Sequence, residues 1–233
     1  MIIRTTTERM DVELDTEEKV IWVIQRWKCR FVSERYRDKW KEQEKKNFRI
    51  NTRGFIEAIW GKAAHFTVES CSGNKFNVMY GGTAFLVKVR LEFVEAGEHW
   101  TAVIYKQYNP IQYGFVSWFH REIYLTEKPW TNPLGVRNPD GSEAAMQIIV
   151  AHEFGHTIGN SGDHVMGSGK NQYTGDEYKP DSVFYKDKCS IMNEGSELRS
   201  RHFIYLRDLL HSMVPGTQFS LTMGGVVDLI PWD

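Results

Sequence analysis

Two histidines stand four residues apart in His152-Glu153-Phe154-Gly155-His156, at the end of the apolar run from Ala144 to Ala151. The run reads as a helix. Successive helical residues turn by about 100°, so residues four apart share a face. His152 and His156 then point the same way, and two imidazoles on one helical face can grip one metal ion. Glu153, beside the first of them, is placed to act on a water held at that ion. A catalytic zinc normally has three protein ligands and one open position. The rest of the chain must therefore bury this helix and bring a further ligand to it.

The flanking residues extend the pattern to Ala151-His152-Glu153-Phe154-Gly155-His156-Thr157-Ile158-Gly159. A glycine three residues after the second histidine can end the helix in a left-handed conformation and turn the chain back towards the metal. A glycine inside a helix costs up to ~1 kcal/mol relative to alanine, so Gly155 implies close packing against that flank.

At 233 residues, 41% of them hydrophobic, the chain can build one large domain with a substantial core. We expect a single domain, with an N-terminal lobe over about 1–159 and a C-terminal subdomain over about 160–233. A net charge of −1 argues against nucleic-acid binding through a broad basic surface. The sequence holds no 18-residue apolar run, so no membrane-spanning helix is expected. The first nine residues lack the apolar core of a signal peptide. That fits a cytosolic protein, a route out of the cell that needs no such signal, or a piece of a longer chain. Cys29, Cys71 and Cys189 are too widely spaced to suggest a disulfide framework.

Residues 15–46 read as helical: Asp15-Thr16-Glu17-Glu18 offers a cap, and Val20, Ile24, Trp27 and Phe31 fall at helical spacing. A second helix is expected from Thr52 to Trp60. Residues 64–128 read as β structure, including His65 to Glu69, Lys75 to Tyr80, the alternating Val87 to Val94, Trp100 to Tyr105 and Arg121 to Leu125. Trp22, Trp27, Trp40 and Trp60 are assigned to packing. Asp140 or Ser142 is expected to cap the HExxH helix. A last helix spans Arg201 to Met213, and Gln218 to Met223 alternates like a strand.

The third ligand has to be sought downstream. The metzincin spacing would place it at Gly162, which has no side chain to offer. Asp163 and His164 lie just beyond, and Glu177 follows in Gly175-Asp176-Glu177-Tyr178.

Taken together, Ala151 to Gly159, Asp176-Glu177-Tyr178, Ser190-Ile191-Met192-Asn193-Glu194-Gly195 and Arg199-Ser200-Arg201-His202-Phe203 resemble a family of bacterial zincins. These carry HEFGHxxG, D-E-Y, S-I-M-N-x-G and R-x-R-H-F segments. They include metallopeptidase domains attached to type VI secretion spike proteins and related toxin effectors. The likeness covers roughly residues 143–210. It departs from the family where about sixteen residues, Asn160 to Gly175, separate the glycine from D-E-Y. The resemblance implies zinc as cofactor, with Glu177 completing a His152, His156, Glu177 ligand set. It leaves Asp176 to hold a ligand histidine by its free N–H. Ser190 to Asn193 looks like a Met-turn, with Met192 as an apolar floor beneath the histidines.

The expected fold is α+β and zincin-like: an N-terminal helix and a mixed twisted sheet packed on the HExxH helix, then a smaller loop-rich C-terminal subdomain ending in a helix. The expected chemistry is amide hydrolysis by an activated water. Glu153 serves as general base, and His202, or Tyr178 or Tyr205 in its place, donates to the oxyanion. The substrate would be a peptide or protein, presented along a sheet edge from the 87–125 region. A delivered effector would act outside the producing cell, with a secretion apparatus or an immunity protein as partner. The alternatives are an amidase acting on cell-wall peptides and a non-catalytic zinc-containing module. The latter has no use for Glu153.

Overall fold

The computed structural model describes residues 1–33, 39–70, 74–106, 114–130, 147–161 and 175–224. Among these residues the architecture is α+β: one mixed nine-stranded sheet with four α-helices. The strands are β1 (Ile2–Thr6), β2 (Asp11–Asp15), β3 (Val20–Ser33), β4 (Ala64–Val68), β5 (Ala84–Phe93), β6 (Trp100–Lys106), β7 (Phe115–Ser117), β8 (Glu122–Thr126) and β9 (Phe219–Met223). The helices are α1 (Glu42–Trp60), α2 (Lys75–Tyr80), α3 (Ile149–Thr157) and α4 (Ile204–Met213). The main path runs β7-β8-β6-β3-β5-β4-β9, with the β1–β2 hairpin joined to the first half of β3.

Of the helix expected over 15–46, only the stretch from Glu42 is helical among the described residues, and 34–38 lie outside them. Asp15 does cap backbone N–H groups, those of Glu17 at 2.9 Å and Glu18 at 3.2 Å, but in the turn between β2 and β3. One carboxylate chemistry serves a helix start and an Asx turn alike. The apolar residues that follow belong to a central strand. Its β-branched run Val20, Ile21, Val23, Ile24 favours extended backbone, and β3 pairs in parallel with both β5 and β6. Helix begins only at Glu42, where Glu44 accepts from the backbone N–H of Lys41 at 2.7 Å. From there α1 runs unbroken through the separately expected 52–60 helix and buries Phe48, Thr52, Ile56, Ile59 and Trp60.

Lys75 to Tyr80 is also a helix and not a strand. Asn74 accepts from the backbone N–H of Asn77 at 2.7 Å, an N-cap that decides a short segment whose alternation alone reads as extended. The other β expectations hold to within a few residues. Trp27 and Trp60 are buried, whereas Trp22 lies under the side chains of Lys88 and Arg90.

The core lies between the sheet and the helices, with α1 packed on β5 and α3. Among the described residues the C-terminal part does not stop at a helix: after α4 the chain returns as β9, antiparallel to β4. The same sheet therefore holds both ends of the described chain. No described helix is long and apolar enough to cross a membrane.

Candidate metal centre

All nine residues of α3 are buried. The helix is described from Ile149, and residues 131–146, with the expected caps Asp140 and Ser142, lie outside the described residues. Its first turn is held by the Pro129 carbonyl, which accepts from Val150 N–H at 2.8 Å. The Trp60 indole donates to Ala151 O at 2.9 Å and fixes α3 against α1. At the far end Gly159 adopts φ +128°, and a Cβ there would stand 2.4 Å from Tyr205 Cβ. The glycine thus turns the chain as its position after the motif implies.

The two histidines present defined tautomers. His152 Nδ1 lies 2.6 Å from Ile191 O, and His156 Nδ1 lies 2.5 Å from Asn160 O. A carbonyl only accepts, so each Nδ1 donates; Nε2 keeps its lone pair where the ring is neutral, and His156 donates from Nε2 to Asp176 only when it carries both protons. The two Nε2 atoms are 3.1 Å apart, and Asp176 Oδ1 is 3.1 Å from His156 Nε2. Tetrahedral zinc with bonds of about 2.0–2.1 Å has ligand–ligand edges of about 3.3 Å. These three side chains form a group able to hold a metal ion.

Their titration reflects the crowding. Burial, with His156 nearby, pushes His152 down to about 4. Burial also pulls on His156, but the Asp176 hydrogen bond and the Glu153 charge outweigh it and raise the group. Burial opposes ionisation of Asp176 too, yet hydrogen bonds from His156 and Lys179 hold it well below the usual carboxylate range. Lys179 Nζ stands 2.7 Å from Asp176 Oδ2, leaving Oδ1 to face the histidines. Burial, with the Asp176 charge nearby, pushes the Tyr178 hydroxyl up, and its ring lies 6.2 Å from that of His152 with 30° between the planes.

Glu153 is 3% exposed, and burial pushes it up to about 7. Its Oε2 has no hydrogen-bond partner among the described residues. The backbone entering β7 presses on it: a Cβ on Gly114 would lie 2.8 Å from both Glu153 Cγ and Oε1. A carboxylate buried without a partner is costly, so a fold that keeps one calls for an explanation.

Met192 is fully buried, and its Sδ would lie 2.5 Å from a Cβ at Gly155, so the close packing implied by that glycine is present. The turn around it also orients the site. Ile191 O fixes His152, and Met192 O accepts from Glu177 N–H at 2.9 Å. Cys189, beside the turn, and Cys29 form no disulfide; Cys71 lies outside the described residues.

The geometry gives Asp176, Glu177 and His202 partners other than those expected of them. Asp176 does not hold a histidine by its free N–H, because Ile191 O and Asn160 O take both of those protons. Glu177 turns away from the histidines, into a two-bond fork with Arg201 at 2.7 and 2.8 Å, beside His202 Nε2 at 3.3 Å. His202 has a side chain with 0% exposure. Its Nδ1 accepts from Arg199 N–H, so Nε2 carries the proton and faces Glu177 and Ser190. The placement expected for an oxyanion donor is therefore not what the structure gives it. Asp163 and His164 lie outside the described residues.

Arg201 also donates to Asp187 at 2.6 Å, and Arg199 meets the same carboxylate in a fork at 2.9 Å on each side. Burial raises the Asp187 pKa, but the hydrogen bonds from the two arginines outweigh it and keep the group below its usual value. Its stabilisation is then complete above the unfolded value of about 3.9 and is lost as pH falls below it. Asp187→Asn is expected to unfold at lower guanidinium concentration than wild type at pH 7, with the gap closing towards pH 3. A constant gap across that range would remove the charge from this account.

No protein-family model, no curated protein and no solved structure matches the chain.

Proposed function

We propose that this chain is a zinc-dependent peptidase that uses His152, His156 and Asp176 as metal ligands and Glu153 as general base. The observation that carries the reading is Glu153 Oε2, which has no partner among the described residues and is buried beside three inward-facing electron-rich atoms. A purely structural metal site has no use for such a carboxylate. When bound, zinc supplies Lewis acidity, which activates a water and polarises the scissile carbonyl. Glu153 takes the proton from that water and returns it to the leaving amine. With His202 engaged behind Glu177, Tyr178, whose ring lies 6.2 Å from that of His152, is the described donor we assign to developing negative charge.

The substrate route also has support. β7 is the terminal strand of the sheet, antiparallel to β8 and in contact with α3. A peptide extended along it would pass the Gly114 backbone and so approach Glu153. The type VI spike resemblance suggests a delivered toxin effector, with protein substrates or cell-wall peptides as targets and a secretion apparatus or immunity protein as partners. Toxicity of wild type but not of Glu153→Gln, compared between cytoplasm and periplasm, reports which compartment holds the target.

Chelator-stripped protein is expected to take up one zinc per chain. Outer-shell changes cost roughly 10- to 100-fold in metal affinity, so loss of the ligand in Asp176→Asn should exceed that range. Competition with a chromophoric chelator reads this directly. Wild-type zinc affinity in Asp176→Asn would sink the ligand assignment.

A further inference from the structure

Asp176 and Glu177 are adjacent acids in one turn, yet their side chains serve different neighbours. Asp176 Oδ1 meets His156, while Glu177, 1% exposed, is gripped by Arg201 and His202. Its own backbone is fixed as well: Glu177 N–H donates to Met192 O, and Glu177 O accepts from the Asn193 amide at 3.2 Å. Arg201 is in turn held by Asp187, which Arg199 also binds. The residue next to the metal-facing carboxylate is thus anchored from three sides, through groups that touch neither histidine Nε2.

We propose that the Glu177–Arg201 fork is a positioning clasp that sets Asp176 on the metal, so that metal affinity is controlled from Arg201. This rests on the metal-centre reading above. A two-point guanidinium–carboxylate pair fixes orientation as well as distance, which a single lysine contact does not. Removing either partner leaves the backbone bonds to Met192 and Asn193 but not the fork, which loosens the turn and lets Asp176 shift from the histidines without deleting any ligand. Lys179 holds only the far oxygen of Asp176 and is half exposed, so it cannot restore the geometry alone.

The test uses the full chain and zinc alone as probe. Glu177→Gln and Arg201→Met should each weaken zinc binding by roughly 10- to 100-fold, as outer-shell changes do. The double variant should lose little more than either single one, because one clasp is broken in each. Arg201→Lys, which keeps the charge but not the fork, should fall between wild type and Arg201→Met. Circular dichroism of the metal-free proteins identifies conditions in which each is folded, so that lost affinity is not lost structure. If Glu177→Gln does not fold, Arg201→Lys carries the test. Cobalt(II) at saturation reports the ligand set: Glu177→Gln should keep the wild-type visible bands, and Asp176→Asn should not.

Zinc affinity within twofold of wild type in folded Glu177→Gln and Arg201→Lys would overturn the clasp and leave the metal centre intact. Fully additive losses in the double variant would overturn it too. Altered cobalt bands in Glu177→Gln, with wild-type bands in Asp176→Asn, would instead make Glu177 the ligand, and the Asp176 metal centre itself would fail.

Discussion

Glu153→Gln is expected to bind a full equivalent of zinc and to lose turnover by about 10²–10⁴-fold, the range that positioned acid–base groups supply. Glutamine has nearly the same shape but cannot accept a proton. The variant isolates the chemical step because Glu153 is not among the three atoms that face the metal position. It should also make the metal-free protein more stable. Glu153 Oε2 is buried without a partner among the described residues, and an uncompensated buried carboxylate costs more than an amide. Gained stability with lost activity is the expected signature of a catalytic group, whereas a structural carboxylate would lose both. The measurements are zinc content, thermal melting of the stripped protein, and hydrolysis of an unstructured protein and of cell-wall peptides. Wild-type turnover in a preparation free of contaminating peptidase would end the general-base assignment.

What the sequence revealed and what it hid follows from the range of the forces involved. The histidine pair, Glu153, the packed glycine and the turning glycine lie within one helix and its exit, where periodicity and backbone sterics act locally. The acid facing the two histidines could not be read the same way. Asp176 and Glu177 are neighbours, and the choice between them is made by Arg201 and by the Met192 carbonyl, which reach them only through the fold. The R-x-R-H-F segment contained the needed partner, but nothing local says that Arg201 claims Glu177. The same limit explains the N-terminal error. Asp15 supplies capping chemistry in either context, and only pairing with β5 and β6 makes β3 a strand. Gly114 carried no sequence signal at all, since its importance is its approach to a helix far along the chain.

Gly155→Ala sets two opposed magnitudes against each other. Alanine gains up to ~1 kcal/mol of helix propensity over glycine. Against that, its Cβ would lie 2.5 Å from Met192 Sδ and 2.9 Å from Trp60 Cζ2. The thioether is flexible, but Met192 is fully buried, and Trp60 is pinned by its bond to Ala151 O and by the rings of Phe154 and Phe203. Overpacking of such a site costs about 1–3 kcal/mol, so the clash is expected to win. The damage should reach the metal site, because pushing Met192 away also displaces Ile191, whose carbonyl orients His152. We therefore expect Gly155→Ala to lower both the guanidinium midpoint of the metal-free protein and its zinc affinity. Adding Met192→Ala should recover part of both losses, although Met192→Ala alone is destabilising through the cavity it leaves. That sign of coupling separates a steric clash from a general intolerance of the helix to substitution. Gly155→Ala as stable as wild type, with unchanged zinc affinity, would mean that α3 can shift away from Trp60 and Met192 at no cost.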